Sequence, residues 1–364
     1  MSENEKFNIL KVSSKIGICG VPLRADTYSG CSFGCKYCFS NNREIMGGNG
    51  FKTGNTKQLE RLFNRVLVKG NYKNDNLLEM LLANRFTIHC GGMSDPFQPC
   101  ESIYKITSEF IDLTNEYGLP VLFSTKSNTV YGANINPKFH SFQLSVSDIG
   151  DNKTFEPNVP PFEQRLKFYK ELKARGFKVG IRIQPFIPGV TEPGIIDCFK
   201  DADMVTIESI KLVPQCPERR EELRKLIGLK KEDFYYFGLE NIKPELKIKY
   251  YEPFIEKLKR NGIPFSIADN DMRSIGTEKC CCGDSLVSKS TSFNTTAMLN
   301  SVGRGYSVDD VLNSARNDGI IDCKCKGLFA SNRQKNVSTV GDFIRNNFAN
   351  QRNPMCPEIQ FFPT

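Results

Sequence analysis

Three cysteines, Cys31, Cys35 and Cys38, lie within the run YSGCSFGCKYCF. Three residues separate the first pair and two the second, and Gly30 and Gly34 give the backbone room to curl. Thiolates that close can converge on one inorganic centre. A 4Fe–4S cube ordinarily takes four cysteine ligands, so three leave one iron with an open coordination position. An open position on a metal is where a substrate or cofactor binds, whereas a structural site is closed. A zinc knuckle wants four ligands in two separated pairs, and no second pair lies nearby. The run reads as iron–sulfur chemistry.

This pattern, with Tyr37 directly before the third cysteine, resembles the signature of the radical S-adenosylmethionine (SAM) enzymes. The resemblance implies that the amino and carboxylate groups of SAM chelate the open iron. It also implies that one electron, delivered by a reducing partner such as flavodoxin or ferredoxin, cleaves the sulfonium. A 5′-deoxyadenosyl radical then abstracts hydrogen from a substrate. The segment GGMSDPFQPCE (91–101) is similar to a stretch of the spore photoproduct lyase-like, or DNA repair photolyase-like, branch. The likeness continues through STKS (124–127), EPNVPPFEQRL (156–166) and RIQPFIPGV (182–190), and covers roughly residues 20–215.

In that branch the loop carrying Gly91, Gly92, Ser94 and Asp95 meets the amino end of SAM, and Lys126 and Ser145 are further candidate contacts. The chemistry agrees with the likeness. A carboxylate wants a cation, and Lys126 offers a point charge. Hydroxyls at Ser94 and Ser145 suit an ammonium and a ribose. Asp95 serves equally well as an Asx turn before Pro96. Arg182, in a strand, is a weaker candidate for the methionyl end, and Glu156 with Arg165 reads as a structural pair.

One departure matters. Spore photoproduct lyase keeps a hydrogen-donating cysteine where this chain has Gly92, which argues against reversal of thymine dimers by that route. Cys90, two residues earlier in a strand and so on the same side as position 92, and Cys100, downstream, are the candidate replacements. Of the two roles, Cys90 reads better as a small buried hydrophobe.

A further constellation comprises Cys280, Cys281 and Cys282, then Cys323 and Cys325, with Cys356 as an outlier. In a segment poor in apolar residues a metal centre would supply a folding nucleus. The preferred reading is an auxiliary 4Fe–4S cluster, with a zinc site and unrelated buried cysteines as alternatives. Three consecutive cysteines do not easily face one metal, so one of Cys280–Cys282 is expected to stay out.

The elements that must position these loops form a βα alternation from about 20 to 210. Helical spacing over 55–69, 103–117 and 162–175 separates apolar runs at 86–90, 119–125, 139–146 and 177–186, followed by a short helix near 192–200 and a strand, DMVTIES. The expected fold is α/β, a partial (β/α)6 TIM-like barrel with a cysteine-rich C-terminal extension. Its active loops lie at the C-terminal strand ends. The organisation expected is residues 1–215 as barrel, 216–271 as helices and a strand packing on it, and 272–364 as the cysteine-rich domain. Fourteen cysteines suit metal ligation in a reducing compartment. A polar N-terminus and the lack of a long apolar run point to a cytoplasmic protein without membrane contact.

The net charge of +8 permits an anionic partner without demanding one. By the resemblance to the photolyase-like branch, with this mild charge in support, a nucleic acid or nucleobase is the first substrate class. A peptide or protein is the second, because auxiliary clusters are common in peptide-modifying members of the superfamily. A non-catalytic iron–sulfur or zinc protein that binds nucleic acid is the rival class. The two histidines, His89 and His140, are given no role.

Overall fold

The computed structural model describes residues 6–13, 19–40, 51–150, 153–213, 217–237, 239–269, 271–278, 280–283, 285–291, 307–325 and 337–350. Cys356 lies outside them. The main sheet holds β1 (Leu10–Val12), β2 (Leu23–Ala25), β3 (Ile88–Cys90), β4 (Val121–Thr125), β5 (His140–Ser145), β6 (Val179–Phe186) and β7 (Met204–Ser209) in sequence order. β1 is antiparallel to β2, and every pairing from β2 to β7 is parallel. A small antiparallel sheet follows, built from β8 (Lys211–Leu212), β9 (Phe234–Phe237) and β10 (Leu239–Ile242). The chain then returns to the main sheet, where β11 (Phe265–Ile267) pairs in parallel with β7. Distinct strands, β1 and β11, end the sheet, so the barrel is partial, as the expected fold class requires.

Local sequence explains most helix boundaries. Asn55 caps α1 (Thr56–Phe63) by accepting from Gln58 N, and Asn76 caps α2 (Leu77–Ala83) by accepting from Glu79 N. The helix expected over 103–117 is two, α3 (Glu101–Tyr104) and α4 (Ile106–Glu116). Lys105 between them takes a left-handed φ of 54°. α5 (Phe162–Ala174) stops before Gly176, whose φ of 80° suits a residue without Cβ. α6 (Pro217–Ile227) and α7 (Pro244–Arg260) match the expected helices of 217–261. The sheet of β8–β10 between them does not. It closes its own apolar cluster of Ile187, Leu212, Leu223, Phe234 and Ile242, a long-range packing that helical spacing alone does not report.

Each parallel strand divides its side chains between two environments. In β5, Phe142 and Leu144 join the cluster beneath the helices, while Ser141, Gln143 and Ser145 alternate onto the barrel interior. The helix side is aromatic: Phe123 lies 5.5 Å from Phe142, which lies 5.4 Å from Phe177, ring centre to ring centre. Burying such a ring contributes about 1.5–3 kcal/mol. The interior is polar, and that leaves it available for chemistry.

α8 (Val308–Asn317) and α9 (Val340–Asn350) share that helix-side cluster through Val311, Leu312, Val340 and Phe343, which pack with Leu77 and Met80 of α2. The α2 segment carried no helical expectation. Among the described residues no helix is long and apolar enough to cross a membrane.

Candidate active site

The loop of Cys31, Cys35 and Cys38 follows β2 at the C-terminal rim of the barrel. Gln98 clamps it from one side, accepting from Ser32 N at 2.8 Å and donating to Gly30 O at 2.7 Å. Asn158 clamps it from the other, donating to Ser32 O at 3.0 Å. Lys36 N donates to Phe155 O at 2.9 Å. Gly34, with φ of 64°, makes the turn between the first two cysteines. All three thiols pack with Phe33, Tyr37 and Val159, and Cys35 is buried. Burial pushes the Cys31 and Cys35 thiols up to about 12, so a cation must be present for both to be thiolates.

The donor set fits an iron–sulfur centre: three thiols on one pinned loop, with no fourth cysteine among the described residues packed around them. Their sulfurs are not among those that converge within 4.8 Å, the spacing that suits one ion. Thiolates on three different irons of a cube stand farther apart than three on one ion.

The residues expected around SAM fall at the same rim, ending β3, β4 and β5. Gly91 has φ of 102°, and a Cβ there would stand 2.2 Å from Ser124 O, so the loop leaves β3 only with glycine. Ser94 donates to Tyr28 O at 2.7 Å and so ties its loop to the start of the cysteine loop. Asp95 accepts from Phe97 N at 3.0 Å, the Asx turn expected as its alternative role. It also accepts from Thr125 Oγ1 and Lys126 N, both at 2.7 Å. Asp95 is thus the brace between the β3 and β4 loops, bonded to both.

Lys126 forms an ion pair with Glu156 at 2.9 Å, and its ammonium lies 5.6 Å from the centre of the Tyr37 ring. Glu156 also accepts from Ser147 Oγ at 2.7 Å and from the Tyr37 hydroxyl. Burial pushes the Glu156 carboxyl up, but Lys126 and Arg165 with these two hydrogen bonds outweigh it and hold it at about 2. The pairing expected between Glu156 and Arg165 is corrected. Glu156 engages Lys126, whereas Arg165 is buried and donates to Ser145 O at 2.8 Å. This network of Tyr37, Lys126, Ser147 and Glu156 links the cysteine loop to the ends of β4 and β5. Tyr37 was visible in the motif, but its bond to Glu156 spans 119 residues and leaves no local trace.

Below the rim, the interior holds a layer of Arg24, His89, Ser124, Gln143 and Arg182. His89 Nε2 lies 2.6 Å from Ser124 Oγ, and Arg182 Nη1 donates to Gln143 Oε1 at 2.9 Å. Burial, then Arg24 and Arg182, hold His89 well below its usual range, so it is neutral there. Arg182 therefore lies one layer beneath the residues of the rim.

Of the candidate hydrogen donors, Cys90 is the small buried hydrophobe that its sequence reading favours. Cys90 is wholly buried in the cluster beneath the helices and faces away from the interior. Cys100, at the start of α3, packs against the same cluster. A Cβ at Gly92 would lie 2.9 Å from Arg24 Nη1, so position 92 accepts a side chain only if that arginine moves. The two groups of C-terminal cysteines also do not meet. Cys323 faces Asn74 O at 3.6 Å and Cys325 faces Ser338 O at 3.7 Å within the helix-side cluster, whereas Cys280–Cys282 lie in another.

No family model matches the chain. An uncharacterized protein of Methanocaldococcus jannaschii is 26% identical over 264 residues, covering 68% of this chain and 83% of that protein. A Pseudomonas phage M6 protein named radical SAM Nalpha-GlyT isomerase is 24% identical over 177 residues, 46% of this chain and 34% of its own length. Spore photoproduct lyase complexed with dinucleoside spore photoproduct shares the fold, with a TM-score of 0.52 and 14% identity over 71% of this chain and 78% of that one. A mutant of that lyase with bound SAM and the same dinucleoside has a TM-score of 0.50 at 14% identity, over 68% of this chain and 76% of that one. The chain thus shares the fold of the spore photoproduct lyase structures, and a protein named a radical SAM isomerase is among its sequence relatives.

Proposed function

We propose that Cys31, Cys35 and Cys38 hold a 4Fe–4S cluster, that SAM binds over it, and that the chain abstracts hydrogen from a nucleic-acid or nucleobase substrate at the barrel mouth. The cluster, when bound and reduced, supplies the electron that cleaves SAM to a 5′-deoxyadenosyl radical. The observation that carries this reading is the pinned cysteine loop beside the Lys126–Glu156–Tyr37 network on one rim. Lys126 has three donor hydrogens. One side of its ammonium meets Glu156, leaving donors for the SAM carboxylate, while the hydroxyl-bearing Ser145 ends the adjacent strand.

The substrate class rests on the dinucleoside bound by the structural relative and on the chain's net charge of +8. Cys90 is buried on the helix side, Cys100 packs against that same cluster, and position 92 is glycine. The product radical is therefore not quenched by a thiol at those positions, and the reaction differs in that step from dimer reversal.

Anaerobic reconstitution with iron and sulfide tests the reading. The expected result is visible absorbance that bleaches with dithionite, and 5′-deoxyadenosine formed from SAM. Deuterated oligonucleotide should transfer deuterium to that 5′-deoxyadenosine, and deuterated peptide should not. A protein that never cleaves SAM would overturn the whole proposal. Deuterium arriving from peptide alone would overturn its substrate class.

A further inference from the structure

At the opposite end of the barrel, three cysteines converge and a fourth lies against one of them. Cys280–Gly283 form a turn closed by Gly283 N donating to Cys280 O at 2.9 Å. Gly283 has φ of 78°, and a Cβ there would lie 1.9 Å from Met204 Sδ, so the turn fits beneath β7 only with glycine. The turn solves the problem of three consecutive cysteines: the sulfurs of Cys280, Cys281 and Cys282 all lie within 4.8 Å of one another. The expectation that one of them stays out is corrected. A fourth thiol, Cys19, contacts Cys282 from the segment leading into β2. It was overlooked in the sequence because 261 positions separate it from Cys280.

The segment around these thiols plugs the N-terminal end of the barrel. Leu286 O accepts from Ser141 Oγ at 2.6 Å, Cys281 O accepts from Gln143 Nε2 at 2.9 Å and Thr206 Oγ1 at 2.8 Å, and Lys289 O accepts from Thr87 N at 3.0 Å. Cys19, Cys280 and Cys282 are buried with Val21, Leu122 and Met204.

Two arginines face this pocket with no carboxylate partner among the described residues. Arg24 Nη2 donates to Cys19 Sγ at 3.4 Å, and its Nε is buried without a partner. Arg182 bonds only the neutral amides of Gln143 and Gln184. Buried cations need anions nearby. Four neutral thiols provide none, while four thiolates on a divalent ion carry a double negative charge.

We propose that Cys19, Cys280, Cys281 and Cys282 bind one zinc ion that locks the lower plug of the barrel, with Arg24 and Arg182 balancing its charge. Metal–sulfur bonds of about 2.3 Å place tetrahedral ligands ~3.8 Å apart. That edge suits Cys280–Cys282, whose sulfurs converge within 4.8 Å. Cys19 touches Cys282 but stands outside that convergence, so its side chain must turn inward to complete the tetrahedron. Each thiol loses its proton to solvent as its bond to zinc forms, and no electron moves. With four protein ligands the site is closed, hence structural. It stands apart from the proposed reaction at the rim, and fails or survives independently of it.

The test counts zinc and iron in full-length protein purified under reducing conditions, before any reconstitution. About one zinc per chain is expected, retained in a Cys31→Ala/Cys35→Ala/Cys38→Ala variant and in a Cys323→Ser/Cys325→Ser variant. Cys19→Ser and Cys281→Ser should each lower it roughly tenfold or more. Cobalt in place of zinc should show the intense sulfur-to-metal charge transfer of a tetrathiolate. If the serine variants do not fold, mercurial titration of the unmutated thiols should release the zinc in step with their modification. Iron with acid-labile sulfide at these four residues, a disulfide among them, or zinc unchanged by Cys19→Ser overturns the proposal.

Discussion

The two ends of this barrel treat cysteine in opposite ways. At the upper rim, Cys31, Cys35 and Cys38 share one short loop, partly exposed, with sulfurs spread apart and polar side chains from three strand ends facing them. At the lower end, Cys280–Cys282 converge in an apolar pocket, and Cys19 joins them there from a distant segment by its contact with Cys282. The upper set has three thiols and leaves room for a ligand. The lower set has four and leaves none. The contrast teaches that ligand count and spread, rather than cysteine content, separate a reaction centre from a fastening.

The sharpest way to break this contrast is to alter the rim. Alanine at any one of Cys31, Cys35 or Cys38 should abolish 5′-deoxyadenosine formation, read by chromatography after anaerobic reconstitution, and leave zinc content unchanged. Loss of zinc there would mean the two ends are one system. Next in size is Lys126→Met, which strands Glu156 as a buried charge. It should cost about 3–5 kcal/mol in denaturant unfolding and weaken SAM binding. Adding Glu156→Gln should restore most of the stability without restoring the binding.

At the lower end, chelating the zinc should lower stability by RT ln(1 + [L]/Kd), about 4 kcal/mol when free metal exceeds Kd a thousandfold. Differential scanning calorimetry with and without chelator reads this, and an unchanged Tm would mean the plug needs no metal. The smallest effect is expected from Cys323→Ser, where a buried thiol facing a carbonyl becomes a hydroxyl. It should cost about 1 kcal/mol and leave both metal counts unchanged.

Much of the upper site was legible in sequence because it is local. Cys31, Cys35 and Cys38 fall within eight residues, and Gly91, Ser94 and Asp95 share one βα loop. Strand ends of a parallel array bring such loops to one rim by topology alone. Cys90, read from its strand as a small buried hydrophobe, is one, and it points to the helices. Asp95 shows the limit of motif reading. Its position marked it for the cofactor, yet its oxygens are bonded to Thr125, Lys126 and Phe97.

The lower site was only half legible. Cys280–Cys282 stood out, but their apparent partners Cys323 and Cys325 belong to the cluster beside α2, and their actual neighbour precedes β2. Proximity of two segments in sequence is no measure of proximity in a fold whose first strand and last plug close on the same opening.

By itself the sequence determined what is short in range: the triad, its glycines, the helix caps and the alternation that makes a parallel sheet. Those follow from backbone sterics and from the periods of helix and strand, which act over a few residues. The tertiary structure alone decided which charges pair and which thiols meet. Lys126 finds Glu156 and Cys19 finds Cys282 because burial and barrel closure bring distant segments into one low-dielectric space. There an unpaired charge is too costly to leave.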